Sequence, residues 1–133
     1  VTPKPTGAPV FFIDRSLGRK QVAQALREAG ATVEVHDDHF PQTTPDVEWL
    51  ADVGRRGWVV LSKDERIRRN RIEREALQAA RVRAFFLTQQ DVTGQEMAEL
   101  FSNALPGMTR RAVSEPAPFI FTISRSGKFL RVR

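Results

Sequence analysis

Two stretches of four consecutive apolar residues, Val10–Ile13 (VFFI) and residues 58–61 (WVVL), each lead into an aspartate at or just past the C-terminal end, Asp14 in the first and Asp64 in the second. Runs this short, rich in β-branched and aromatic residues, read as strands buried on both faces. Such strands need a covering layer above and below. The segments between them supply it. Val22, Ala25, Leu26 and Ala29 fall at i, i+3, i+4 and i+7, the spacing of a helical stripe that starts at Ser16 or Gly18 and is closed by Gly30. Val47, Leu50, Ala51 and Gly54 repeat the spacing, with Thr44 expected as N-cap, Pro45 as first helical residue and Asp46 at the positive end of the dipole. Met97, Leu100, Phe101 and Ala104 repeat it again behind a Thr93/Glu96 capping box, in a helix expected to end near Pro106.

Thinner strands are predicted at residues 32–36 (TVEVH) and 82–87 (VRAFFL). Phe119–Ile123 and a last strand after the Ser126-Gly127 turn predict a C-terminal hairpin over residues 119–132. Alternation of strands and helices with crossovers of helical length implies an α/β fold, a three-layer α/β/α sandwich around a mainly parallel sheet. At 133 residues one domain is expected, over residues 10–133, after a flexible lead at residues 1–9 (VTPKPTGAP).

Several function classes are set aside by what the chain lacks. No apolar run exceeds four residues, so no membrane span is expected, and the Pro-rich start lacks a signal peptide's apolar segment. Without cysteine there are no disulfides, thiolate zinc sites or cysteine nucleophiles, in keeping with a cytoplasmic address. Walker and G-x-S-x-G patterns are missing, and Asp14-Arg15-Ser16 lacks the second acid of a haloacid-dehalogenase-type phosphatase. The net charge of +5, carried mostly by arginine, favours a polyanionic partner.

The most basic stretch follows Asp64. Arg66, Arg68 and Arg69 occupy the first turns beside it. From about residue 70 a helix is expected with Ile72, Ala76, Ala79 and Ala80 on one face and Arg71, Arg74, Gln78 and Arg81 on the other. That cationic face reads either as a nucleic-acid surface or as an ordinary solvated face with an Arg71–Glu75 pair. Residues 36–41 (HDDHFP) form the most polar connection and would lie at the sheet edge that carries Asp14, as a lip of the site. His36, Asp37, Asp38 and His39 could hold a metal, but solvated turn chemistry is the favoured reading. Phe40 and Trp49 could stack on bases; Trp49 is assigned to packing.

In an open parallel sheet the C-terminal strand edge is where ligands bind. Asp14 and Asp64 end strands there, and Asp46 opens a helix directed to the same edge. Converging carboxylates repel unless protons or cations neutralise them, and an oxygen-only site suits Mg2+ or Mn2+, with phosphodiester hydrolysis as the natural chemistry. Alternatively, all three aspartates merely cap helices.

FFIDRSLG at 11–18, TPDVEWLADVGRRGWVVLSKDERIR at 44–68 and RAFFL at 83–87 together resemble the PIN-like domains, a metal-dependent ribonuclease family that includes the VapC-type toxins of toxin-antitoxin pairs. The likeness spans residues 10–123. It implies an α/β/α sandwich, a Mg2+ or Mn2+ site and cleavage of single-stranded RNA, with a cognate antitoxin protein as partner; a homodimer is a further expectation. Asp14, Asp46 and Asp64 match the family's acids and would be both catalytic and metal-binding. Glu48 could assist or replace Asp46. The family's usual fourth acid is replaced by Leu87-Thr88-Gln89-Gln90, with Asp91 following. Arg15, Lys63, Arg66, Arg68 and Arg69 are the expected phosphate contacts. Two other readings stay open. One is a phospho-receiver with Asp64 as phosphoacceptor and Thr88 and Lys128 as its hydroxyl and lysine, against which stand Arg15 in place of a paired acid and a closing hairpin in place of a helix. The other is a catalytically silent, RNA- or partner-binding PIN relative.

Overall fold

The computed structural model describes residues 9–132; the lead expected over residues 1–9 lies, apart from Pro9, outside the described residues. The elements in chain order are β1 (Val10–Ile13), a 3-10 turn (Arg15–Leu17), α1 (Gln21–Glu28), β2 (Thr32–Val35), α2 (His36–His39), α3 (Asp46–Arg56), β3 (Val59–Ser62), α4 (Glu65–Arg69), α5 (Arg71–Ala79), β4 (Arg83–Leu87), α6 (Gly94–Ser114), β5 (Phe119–Ile123) and β6 (Phe129–Arg131). Among the described residues six strands form one sheet in the order β2-β1-β3-β4-β5-β6. Every neighbouring pair is parallel except β5 and β6, which close the sheet as an antiparallel hairpin. No helix among the described residues is long and apolar enough to cross a membrane.

The period-two alternation of each strand sorts its side chains between two cores. Phe11, Ile13, Val59, Leu61, Phe85 and Leu87 point to the layer of α1 and α6, where they meet Val22, Leu26, Met97, Phe101 and Met108. Phe12, Val60, Ala84 and Phe86 point the other way, onto Trp49, Leu50 and Val53 of α3, Ile67 of α4 and Leu77 of α5. Both faces are therefore dry. That is why the strands read as continuous apolar runs. The connections from β1 and β3 diverge, to β2 on one side and β4 on the other, so a crevice opens between the C-terminal ends of β1 and β3.

Four local readings are corrected. Thr44 is not the cap of α3; Pro45 holds that position, without a side-chain bond. The buried stripe of that helix is Trp49, Leu50 and Val53, and Val47 is exposed, because the indole carries far more apolar surface than the Val47, Ala51 and Gly54 alternative. In α5 the face shifts in part: Leu77 is buried and Ile72 is 69% exposed, while Ala76 and Ala80 of the expected face still pack against that core. Finally, α6 does not stop near Pro106 but continues to Ser114. Met108 and Ala112 are buried and extend the stripe of Met97, Phe101 and Ala104, and that burial offsets the ~3 kcal/mol cost of an interior proline.

Candidate active site

Asp14 leaves β1 with extended backbone and caps the 3-10 turn. Its Oδ1 accepts from Ser16 N at 2.9 Å and Ser16 Oγ at 2.5 Å, and its Oδ2 accepts from Ser62 Oγ at 2.5 Å. Ser62 is the last residue of β3, the strand adjacent to β1. Its hydroxyl in turn accepts from Asp64 N at 2.9 Å, and Ser16 Oγ accepts from Lys63 N at 3.0 Å. Two serines thus knit the two strand ends together. Asp14 is 3% exposed, and burial pushes its carboxyl up from 3.8 to about 6; the serine bonds lower it in part and the Asp64 charge adds to the rise.

Asp64 caps α4, accepting from Arg66 N at 3.0 Å, and the Arg66 guanidinium closes on both carboxylate oxygens at 3.2 and 3.1 Å. Asp46 lies one turn before Trp49 on the core-facing side of α3. Its Oδ1 accepts from Trp49 Nε1 at 2.8 Å and from Arg15 Nη2 at 3.0 Å, while Arg15 Nη1 donates to the carbonyl of Gln42. Burial opposes ionisation of Asp46, but the bonds with Glu73, Trp49 and Arg15 outweigh it and hold the group below its usual range. Glu73 is the partner that absorbs the cost. Its hydrogen bond to Asp46, reinforced by burial and by the charges of Asp46 and Asp64, pushes it up to about 7.

Asp14, Arg15, Ser16, Asp46, Asp64 and Arg66 share one open cavity of about 540 Å3 at the ends of β1 and β3. Capping and site placement are not competing roles for Asp14 and Asp64: the caps are what aim them. Asp46, which caps nothing, is aimed by Trp49 and Arg15.

The remaining sequence candidates do not line that cavity. Lys63 Nζ donates to the Gln90 carbonyl at 3.1 Å, and Gln90 Nε2 returns a bond to the Lys63 carbonyl at 2.9 Å, so this lysine ties two loops together. Arg68, with a side chain only 11% exposed, and Arg69 both turn to Glu65 at 3.5 Å. Glu48, Asp91, Thr88 and Lys128 are exposed. The Arg71–Glu75 pair forms at 3.2 Å on a solvated face. Trp49 is 1% exposed, a packing residue whose ring lies tilted against Phe12. His36 starts α2 rather than ending a strand and is buried against Phe12, Phe40 and Trp49. His39 meets Glu34 at 2.6 Å.

Ser16, Ser62 and Glu73 were missed by sequence reasoning. The first two could have been found, since both are hydroxyls within two residues of a strand-end aspartate. Glu73 could not, because the expected face of its helix was rotated away from it.

The donor chemistry of the four carboxyls is all oxygen, and two of them are shifted toward the protonated form, Asp14 chiefly by burial and Glu73 by its bond to Asp46 and by burial, with neighbouring acid charges adding to both. That fits a hard divalent cation. As the side chains stand, no three His, Cys, Asp or Glu groups among the described residues are gathered to hold a metal ion, so holding one requires the carboxylates to draw in across the cavity.

The family model described as "PIN like domain" matches residues 9–89, which contain all four acids. A curated protein of Mycobacterium tuberculosis (strain ATCC 25618 / H37Rv), "Putative ribonuclease VapC45", is 35% identical over 126 residues, covering 92% of this chain and 90% of the relative. No solved structure matches.

Proposed function

The chain belongs to the PIN-like domain family, and from that premise we propose that it is a divalent-metal-dependent endoribonuclease of the VapC type, acting on single-stranded RNA in the cytoplasm as the toxin of a toxin-antitoxin pair. The observation that carries this reading is the convergence of Asp14, Asp46 and Asp64, with Arg15 and Arg66, on one cavity at the crevice between β1 and β3. The similarity to a relative named as a ribonuclease supports the substrate class.

In this reading Asp14, Asp46 and Asp64 would hold Mg2+ or Mn2+, with Glu73 beside Asp46 supporting the site. The cation, when bound, supplies Lewis-acid polarisation of the scissile phosphodiester and a more acidic water. The protein's own groups do the rest. Arg15 and Arg66 keep spare N–H donors after engaging Asp46 and Asp64, and these take the non-bridging phosphate oxygens. Trp49 fixes the Asp46 rotamer from the core side. Ser16 and Ser62 hold Asp14 in register with the end of β3, so that the acids of two strands move as a unit. Glu73 carries a proton against the ionised Asp46 and would give it up when positive charge arrives.

The test is cleavage of an end-labelled single-stranded RNA with Mn2+, with Mg2+ and with EDTA, comparing the wild type with Asp14→Asn. Cleavage that needs the cation and is lost in the variant is expected. Folded wild-type protein that binds RNA without cutting it would overturn the nuclease in favour of a silent relative. Labelling of Asp64 by acetyl phosphate would instead favour the receiver.

A further inference from the structure

A second, smaller cavity adjoins the acidic one, sharing Arg15 and Gln42 with it. It has a volume of about 180 Å3 and is lined by Arg15, Gly18, Arg19, Val35, His36, Asp37 and Gln42, space for about six waters and so for one planar group rather than a length of chain. The polar HDDHFP segment, for which the acid site has no use, contributes its wall.

Asp37 pairs with one cation of this wall, Arg19, whose Nη1 is 3.5 Å from its Oδ2, while Arg15 lines both cavities. Both oxygens of Asp37 face one amide, with Gln42 Nε2 at 2.8 and 2.9 Å. From behind, the His36 ring approaches Oδ1 with Nδ1 at 3.4 Å. That ring is 1% exposed and wedged among Phe12, Phe40 and Trp49, and its Nε2 has no hydrogen-bond partner. The single polar contact of a buried imidazole is therefore spent on Asp37.

We propose that this cavity is a nucleobase subsite next to the scissile phosphate, in which Asp37 reads guanine while Arg15 and Arg19 hold the backbone on either side; the proposal rests on the ribonuclease reading above. The chemistry selects the base. A carboxylate accepting through both oxygens needs two adjacent N–H donors, and on the Watson–Crick edge only guanine presents them, at N1 and the exocyclic N2. Uracil offers one donor between two carbonyls, while adenine and cytosine set a ring-nitrogen acceptor beside their amino group, which a carboxylate repels. The Gln42 amide occupies the place those donors would take. Single-stranded RNA exposes this edge for such contacts.

The experiment measures fluorescence anisotropy of labelled twelve-nucleotide strands, all adenosine except one central guanosine, inosine or adenosine, with wild-type protein in EDTA. A cleavage map in Mn2+ follows. The guanosine strand is expected to bind about ten-fold more tightly than the other two, as for one bidentate base contact. Asp37→Asn brings it down to their level. Arg19→Ala weakens all three alike and lowers the slope of log K against log salt by about 0.7. Equal wild-type affinity for the three strands, or a preference that survives Asp37→Asn, overturns the subsite. Metal-dependent cutting without regard to guanosine overturns the subsite but not the nuclease. Guanosine-selective binding with no cleavage does the reverse, and failure to bind any strand overturns both.

Discussion

Asp14→Asn should stabilise the folded protein while removing its activity. Folding raises this carboxyl from 3.8 to about 6, and at about 1.4 kcal/mol per unit the ionised group costs the fold roughly 3 kcal/mol. The sign follows from linkage. Below 3.8 the group is protonated in both states and the penalty vanishes; between 3.8 and about 6 the unfolded chain has already released its proton and the penalty grows; above about 6 it is complete. Asparagine carries no charge to bury, but it offers one oxygen where Asp14 has two, against donors from Ser16 N, Ser16 Oγ and Ser62 Oγ, a loss of about 1 kcal/mol. The net gain is about 1–2 kcal/mol at pH 7.5 without divalent cation, or a rise of about 1 M in the urea midpoint at ordinary slopes. At pH 4 the order reverses, with the wild type slightly more stable. Urea unfolding in EDTA across this range measures it. A variant less stable than the wild type at pH 7.5, or a difference that does not change with pH, would refute the burial argument.

Other substitutions separate placement from chemistry. Asp64→Asn preserves the α4 cap, since asparagine caps as well as aspartate, so unfolding should stay within about 0.5 kcal/mol of the wild type while metal-dependent cleavage is lost; cutting at the wild-type rate would remove Asp64 from the mechanism. Glu73→Gln keeps a hydrogen bond to Asp46 but cannot take up positive charge. Calorimetric titration with Mn2+ should show affinity falling about ten-fold, roughly 1.4 kcal/mol, and unchanged affinity would exclude Glu73 from the site. Ser62→Ala leaves Asp14 Oδ2 without its donor from β3, which should cost about 1–3 kcal/mol at pH 7.5 and less at pH 4, where the carboxyl is neutral; urea unfolding at the two values tests the difference.

Much of the layered architecture was legible because dry strands and amphipathic helices leave strong local signatures. Residues 10–13 and 59–61 are apolar runs because both of their faces are covered, and the crossovers between them have helical length. The strand-end aspartates were legible for the same reason, since an acid at the end of an all-apolar run, as Asp14 is, or beyond it by two intervening residues, as Asp64 is, has nowhere to go but the open edge. Where the stripe rule failed, it failed by rotation. In α3 and α5 the bulkiest apolar side chains, Trp49 and Leu77, took the centre of the core, with Leu50, Ala76 and Ala80 of the expected faces kept against it. That choice brought Glu73 to Asp46 and left Ile72 in solvent.

The sequence by itself therefore determined the alternation of elements, the sheet edge that gathers acids and the arrival of Asp14, Asp46 and Asp64 at that edge, because each of these follows from patterns a few residues long. Only the tertiary structure decided which cations belong to the site. Arg15 reaches across 31 positions to Asp46, whereas Lys63, adjacent in sequence to Asp64, turns away to Gln90. Charges on long side chains go where a partner lies within hydrogen-bonding distance, and that distance is set by how helices pack on the sheet rather than by any neighbour in the chain. The bond from Ser62 to Asp14, and with it the raised Asp14 carboxyl, exists only because β1 and β3 lie side by side, 48 residues apart in the chain.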